Sequence, residues 1–222
     1  AACGGDGTVR EIANGLVDGS TPLIVVPSGT ENLLANELGF DEKASTLIRA
    51  FESGTLRYLD LGDANGRSFT SVAGVGFDGE IVHRVATKRN GHINHFDYFW
   101  PIWRTFWSHR FPHFQVTVDG EKVYSGRGLI IIGNISRYAI GLDICRDANY
   151  GDGLLDVCIY KCASRLRLVK HSILTVCKLH TRCDDVIYRQ GKDISIIADE
   201  HVVSEIDGDP GPHLPIEIKV IP

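Results

Sequence analysis

The residues of this chain best suited to chemistry stand at its front. Gly4-Gly5-Asp6-Gly7-Thr8 and Pro27-Ser28-Gly29-Thr30-Glu31-Asn32 are both glycine-containing loops placed to open a helix, and the apolar run Leu23-Ile24-Val25-Val26 separates them. Such loops aim backbone N–H groups and the positive end of a helix dipole at one point, an arrangement suited to phosphate. Two of them in succession, at one edge of a parallel sheet, predict a pocket for a polyphosphate. Asp6 lies between the glycines of the first loop. A bare strand-to-helix turn has no use for a carboxylate there, whereas a metal ion or a proton transfer has.

Other acidic residues are ambiguous when read alone. Asp207-Gly208-Asp209 carries a common hairpin-turn pair. Asp78 follows Gly74 and Gly76 and could serve as the strand-end residue that fixes a turn. The run Asp147 to Asp156 is either an acidic loop entering a strand or an oxygen-only site for magnesium or calcium. His92, His95, His109 and His113 surround seven aromatics between Phe96 and Trp107, with no ligand spacing for a metal. One aromatic face is expected in the core, which takes most of these residues, and the other at a membrane or lipid pocket. Arg165, Arg167, Lys170 and His171 form a basic stretch on a predicted helix, a solvated face by default and otherwise a contact for anionic headgroups.

The elements that must position these groups change character along the chain. Helices are predicted over 9–17, from a Thr30 cap to about Leu38 with Gly39 beyond its end, and over 40–51. The pattern then turns to short strands: 56–61 and 68–75 around the turn Asp63-Ala64-Asn65-Gly66, then 114–118, 128–133, 154–160, 193–198, 202–206 and 216–221. Helices over about 95–109 and 164–180 interrupt them. The front is therefore α/β and the remainder an antiparallel sandwich or barrel. The boundary falls near 39–55, giving an N-terminal unit of residues 1–45 and a β-rich unit of residues 46–222.

With 222 residues, 43% of them hydrophobic, the chain can bury a large core. Its net charge of −5 gives no support to a nucleic-acid partner. No apolar run reaches the roughly 20 residues of a membrane helix. Six cysteines lack C-x-x-C spacing and read as reduced thiols, which favours the cytoplasm. There is no methionine, and the chain opens directly before a loop that should follow a strand, so it reads as a fragment of a longer frame.

Taken in order, the motifs resemble those of the diacylglycerol kinase-like lipid kinases, which include sphingosine and ceramide kinases. Beside Gly4–Thr8 and Pro27–Asn32, Gly74-Val75-Gly76-Phe77-Asp78 is similar to the family's G-x-G-F-D segment. Residues 148–156 are similar to A-x-x-x-D-G-L-L-D, and Asp207-Gly208-Asp209 to D-G-E. The glycine–aspartate loop alone is shared with NAD kinases and phosphofructokinases; the ordered set is more specific. The resemblance implies an N-terminal α/β nucleotide-binding domain followed by a C-terminal antiparallel β-sandwich with inserted helices, and an active site between them. It implies transfer of the ATP γ-phosphoryl group to a lipid hydroxyl with Mg2+, the lipid being diacylglycerol or a sphingoid base.

By that template Gly4, Gly5, Asp6, Gly7, Thr8, Ser28, Gly29, Thr30 and Asn32 bind nucleotide. Asp6 and Asp209 are catalytic, with Asp209 in place of the family's Glu as proton acceptor. Asp78 meets the substrate's polar head. A structural metal site falls on Asp152 with the carbonyls of Asn149 and Leu154. Leu33 stands where bacterial members often carry a magnesium-binding Asp, a departure that keeps a non-catalytic regulator of the same fold as the rival reading. A NAD kinase-type enzyme is disfavoured by residues 29–32 and 152–154. The template also places a further phosphate loop, N-P-x-S-G, before this chain begins. The expected partners are a lipid substrate, a transient membrane surface and a second copy as homodimer, with a cytoplasmic or membrane-peripheral location.

Overall fold

A computed structural model describes residues 1–17, 20–87 and 95–222. The front of the chain is a small α/β unit: β1 (Ala2–Gly4), α1 (Asp6–Asn14), β2 (Val25–Pro27), α2 (Leu33–Glu37) and α3 (Ala44–Ser53). β1 and β2 run parallel, with Gly4 opposite Pro27. Both strands therefore release their loops at the same edge. α1 starts inside the first loop, at Asp6, three residues before the predicted start. α2 is shorter than predicted, and its cap is Asn32 rather than Thr30. Asn32 takes a left-handed backbone (φ 51°) and turns its amide back on Gly29, accepting from Gly29 N–H at 2.8 Å and donating to Gly29 O at 2.9 Å. That conformation suits an Asn better than a Thr, because the short planar amide can bond locally and lacks the β-branch.

The rest is a sandwich. In chain order its elements are β3 (Leu61–Ala64), β4 (Arg67–Phe69), β5 (Val72–Val75), α4 (Phe77–Ala86), α5 (His95–Ser108), β6 (His113–Val118), β7 (Glu121–Arg127), β8 (Leu129–Gly133), β9 (Arg137–Tyr138), β10 (Leu142–Asp143), β11 (Leu155–Tyr160), α6 (Arg165–Val176), β12 (Val186–Gly191), β13 (Asp193–Ala198), β14 (Val203–Ile206), β15 (Asp209–His213) and β16 (Ile216–Ile221). One sheet has the order β12-β11-β8-β5-β14-β15 and the other β4-β3-β16-β13-β6-β7, with antiparallel neighbours throughout. β9 and β10 form a separate small hairpin.

Alternation explains the layering. Ile130 and Ile132 of β8 point between the sheets, against Phe114, Val116, Ile194, Ile196, Ile216 and Ile218. Leu129 and Ile131 of the same strand point the other way, into a second core with Ala2, Val9, Val25 and Leu34. β8 is an unbroken apolar run because both of its faces are covered. The first sheet is thereby the floor on which the α/β unit sits.

Several predicted elements change. The run 68–75 is two strands, β4 and β5, in different sheets, and the chain crosses between them at Thr70-Ser71. Residues 56–60 are not strand. α4, β7, β12 and β15 are absent from the sequence-based assignment. Most aromatics of α5 are not in the core: Phe99, Trp100, Trp103 and Trp107 are exposed. His92 lies outside the described residues. Cys145, Cys158 and Cys162 are buried, and burial pushes the Cys158 thiol up to about 12. Among the described residues no helix is long and apolar enough to cross a membrane.

Candidate active site

The two front loops touch. Ser28 N–H donates to Gly4 O at 3.1 Å, and the backbones close on each other at Gly5 and Gly29. A β-carbon added to Gly29 would fall 2.4 Å from Gly5 Cα and 3.1 Å from Gly5 N. Only a residue without a side chain allows that approach. α1 follows the first loop with no side-chain cap at Gly5, so the amides of its first turn are not taken by a capping side chain.

The second loop is differently used. Its helix, α2, has five residues, and Leu34 N–H donates to Asp6 Oδ1 at 3.1 Å. The amides of Leu33 and Asn32 also favour the Asp6 charge, yet burial prevails and raises its proton affinity above that of an ordinary aspartate. Asp6 thus joins the loops: it belongs to the first and is held by the helix that the second one opens. Leu33 is buried in the core beneath them.

The hairpin β14–β15 brings the third component. Asp207 and Gly208 form its two-residue turn, with φ 48° and 78°. Asp207 accepts from Thr70 N (2.8 Å), Thr70 Oγ1 (3.0 Å), Ser71 N (2.9 Å) and Val72 N (3.0 Å). It therefore pins the point where the chain changes sheets. Burial lifts its pKa to about 6 against the pull of those amides, with the Asp6 charge adding to the lift. Asp209, two residues on, faces α1: a β-carbon on Gly7 would lie 3.0 Å from its Oδ2.

Arg10 ties the parts together. It is 6% exposed, donates through Nη1 to Ile206 O at 3.1 Å and pairs through Nη2 with Asp209 Oδ2 at 3.2 Å. The first glycine loop, its helix and the Asp207–Asp209 turn are one assembly. Arg10 did not emerge from the sequence; its position one helical turn after Asp6 is the sole signal, and it does not reveal a partner 199 residues away.

Asp78 lies in the first turn of α4 and faces Glu205 of β14 across Gly74. A β-carbon on Gly74 would meet Asp78 Oδ2 at 2.2 Å and Glu205 Oε1 at 2.9 Å, so this glycine makes room for two acids. Both oxygens are buried without a conventional hydrogen-bond partner. Burial raises the proton affinity of each acid, and their mutual repulsion adds to that of Glu205. The Tyr138 phenol is pushed up by the same burial and the same charges. Glu205 holds the turn through Gly208 N–H, which donates to its Oε2 at 2.8 Å. Glu205 and Tyr138 were not found in the sequence reading, since each lies in an ordinary strand pattern.

The loop with Asn149, Asp152 and Leu154 packs on residues 58–60 instead. Gly153 N–H donates to Asp60 Oδ2 at 2.6 Å, and Asp60 N–H to Tyr150 O at 2.6 Å. Leu154 N–H donates to Asp152 Oδ1 at 3.0 Å, and Asp152 N–H to Asn149 O at 3.4 Å. Among the described residues no group of three or more His, Cys, Asp or Glu side chains is placed to hold a metal.

The family described as "Diacylglycerol kinase catalytic domain" matches residues 1–64, and "YegS C-terminal NAD kinase beta sandwich-like domain" matches residues 71–222. A Mycobacterium tuberculosis diacylglycerol kinase is 30% identical, the alignment covering 99% of this chain and 72% of the relative. The chain belongs to the diacylglycerol kinase-like lipid kinases. A Bacillus subtilis diacylglycerol kinase of this family is 27% identical over 97% of the chain and 72% of its own length. A diacylglycerol kinase crystal structure from Bacillus anthracis superposes with a TM-score of 0.73, at 23% identity, over 98% of this chain and 72% of that one, and so has the same fold. The second family match begins at residue 71, at the crossover that Asp207 holds.

Proposed function

We propose that the chain transfers the γ-phosphoryl group of ATP to the hydroxyl of a lipid, diacylglycerol or a sphingoid base. The observation that supports this is the backbone contact between the two glycine loops, with Asp6 inside the first loop and Asp209 Oδ2 facing the adjacent Gly7. The amides of Gly4–Thr8 hold the terminal phosphates, and Ser28, Gly29, Thr30 and Asn32 form the opposite wall. Phosphoryl transfer needs alignment and charge neutralisation more than covalent help. The rigid contact at Gly5 and Gly29 supplies alignment.

Magnesium fits this set. Asp6 offers hard, partly buried carboxylate oxygens, and among the described residues no lysine or arginine ion pair offsets its charge. Asp6 and Asp209 would hold the ion, whose chemistry there is to neutralise phosphate charge. The loop of Asn149, Asp152 and Leu154 remains our proposal for a second, structural cation. Asp78, with Glu205 beside it, is proposed to meet the lipid's polar head.

The acceptor's proton goes to Asp209 in the reading drawn from the family pattern. Labelled ATP offered with diacylglycerol, sphingosine and NAD side by side tests the function. We expect label in a lipid, and none with Asp6→Asn. Label in NAD alone, or full lipid phosphorylation by Asp6→Asn, refutes it. Loss of magnesium-dependent ATP turnover in the wild type would instead favour a non-catalytic regulator, the role that Leu33 supports.

A further inference from the structure

α1 sends a cation into the hairpin β14–β15. Arg10 is buried, and a guanidinium taken out of water must find partners for its N–H groups. It finds them on both strands. Nη1 donates to Ile206 O on β14 at 3.1 Å, and Nη2 pairs with Asp209 Oδ2 on β15 at 3.2 Å. Ile206 and Asp209 are the paired residues that close the turn of Asp207 and Gly208. The guanidinium therefore spans the neck of that turn. Toward solvent, Glu11 Oε1 accepts from Nε at 3.3 Å and from Nη2 at 2.8 Å. A planar fork with its nitrogens at fixed spacing can serve acceptors on two strands and a third residue at once. A lysine ammonium concentrates its donors at one point and is no equivalent.

The turn has other anchors for its backbone. Asp207 is fastened by four hydrogen bonds to Thr70, Ser71 and Val72, and Gly208 N–H donates to Glu205 Oε2. β14 is also paired with β5. None of these bonds reaches the Asp209 side chain. Arg10 does, and it does so from the helix that begins at Asp6, inside the first glycine loop. The same Oδ2 lies 3.0 Å from where a Gly7 β-carbon would stand. A guanidinium carried by the loop's own helix thus sets how the acid sits against that loop. Burial works against the Arg10 charge, but the Glu11 hydrogen bond and the charges of Asp207, Asp209 and Glu11 outweigh it.

We propose that Arg10 is a positioning residue, which holds the Asp209 carboxylate against the first turn of α1 beside the glycine loop. Its kinetic consequence rests on the phosphoryl-transfer reading, in which Asp209 takes the acceptor's proton. A side chain that acts through one carboxylate must lose its effect when that carboxylate is removed.

The test is a double-mutant cycle in the 222-residue chain. Arg10→Gln, Arg10→Lys, Asp209→Asn and the two double variants are compared with the wild type for kcat of labelled-phosphate transfer from ATP to diacylglycerol. Each Arg10 variant should lower kcat about tenfold, because the acid is displaced from its working geometry. In the Asp209→Asn background the same substitutions should cost less than about twofold. Equal fold losses in both backgrounds mean a merely structural role and overturn the proposal, as does wild-type kcat in Arg10→Lys. Crystal structures of the wild type and of the Arg10 variants give a readout that needs no activity, and Arg10→Lys, which keeps the charge, serves if Arg10→Gln does not fold. The Asp209 side chain should leave its wild-type rotamer while Asp207 keeps its four hydrogen bonds. An unmoved Asp209 overturns the proposal. Absence of label transfer by the wild type refutes the kinase reading alone, and the crystal structures then decide the role of Arg10.

Discussion

Gly29→Ala drives the two glycine loops apart. The new β-carbon would fall 2.4 Å from Gly5 Cα and 3.1 Å from Gly5 N, and neither atom can move by a rotamer change. Carbon atoms pack at about 3.5 Å, so the backbones must separate by about 1 Å. A displacement of that size between aligned reactants costs about a hundredfold in rate, or about 2.7 kcal/mol of barrier. Gly5→Ala supplies an internal control. Its β-carbon would lie 3.1 Å from Gly29 Cα, so the same loops open by only about 0.4 Å and the loss is correspondingly smaller. The assay is kcat/KM for transfer of labelled phosphate from ATP to diacylglycerol in mixed micelles, with thermal melts run in parallel to show that both variants fold. Gly29→Ala with wild-type kcat/KM refutes the reasoning, and so does Gly5→Ala losing more than Gly29→Ala.

Two further predictions concern buried acids. The folded chain holds the Asp207 proton up to about pH 6, well above an ordinary aspartate. Stability from this group is complete below about pH 4 and lost as pH rises through 6, so the wild type should lose roughly 3 kcal/mol relative to Asp207→Asn over that interval. Denaturant unfolding of both chains at stepped pH reads the difference, and a gap that changes in the opposite direction means the four hydrogen bonds outweigh burial. Glu205→Gln keeps an acceptor for Gly208 N–H and removes an acid whose proton affinity burial and Asp78 raise. The wild type should therefore lose ground to this variant as pH rises above about 4.3, and parallel pH profiles would show that Glu205 ionises freely in the fold.

The glycine loops were legible because the pattern that marks them is local. A loop that opens a helix and exposes amides must have glycine at fixed steps, and no distant residue is needed to see it. The strands of the sandwich core were legible for a similar reason: Ile194, Ile196, Ile216 and Ile218 keep the two-residue period that one buried face imposes. α4 was hidden because its apolar side is short and contains Gly79, while β7 and β15 are half-exposed strands with little alternation. The expected core position of the α5 aromatics failed because large apolar side chains carry no label for which surface covers them.

By itself, then, the order of residues determined the kinase family, the two-part architecture and the place of the two glycine loops, since each depends on neighbours along the chain. Only the tertiary structure decided that Asp207 pins the crossover while Asp209 turns to Arg10, that Asp6 is claimed by the amides of α2, and that Asp78 has Glu205 for company. Those pairings join residues more than a hundred positions apart, or across two loops. Their energies come from burial and from the direction of side chains, and neither exists until the sheets have closed on each other.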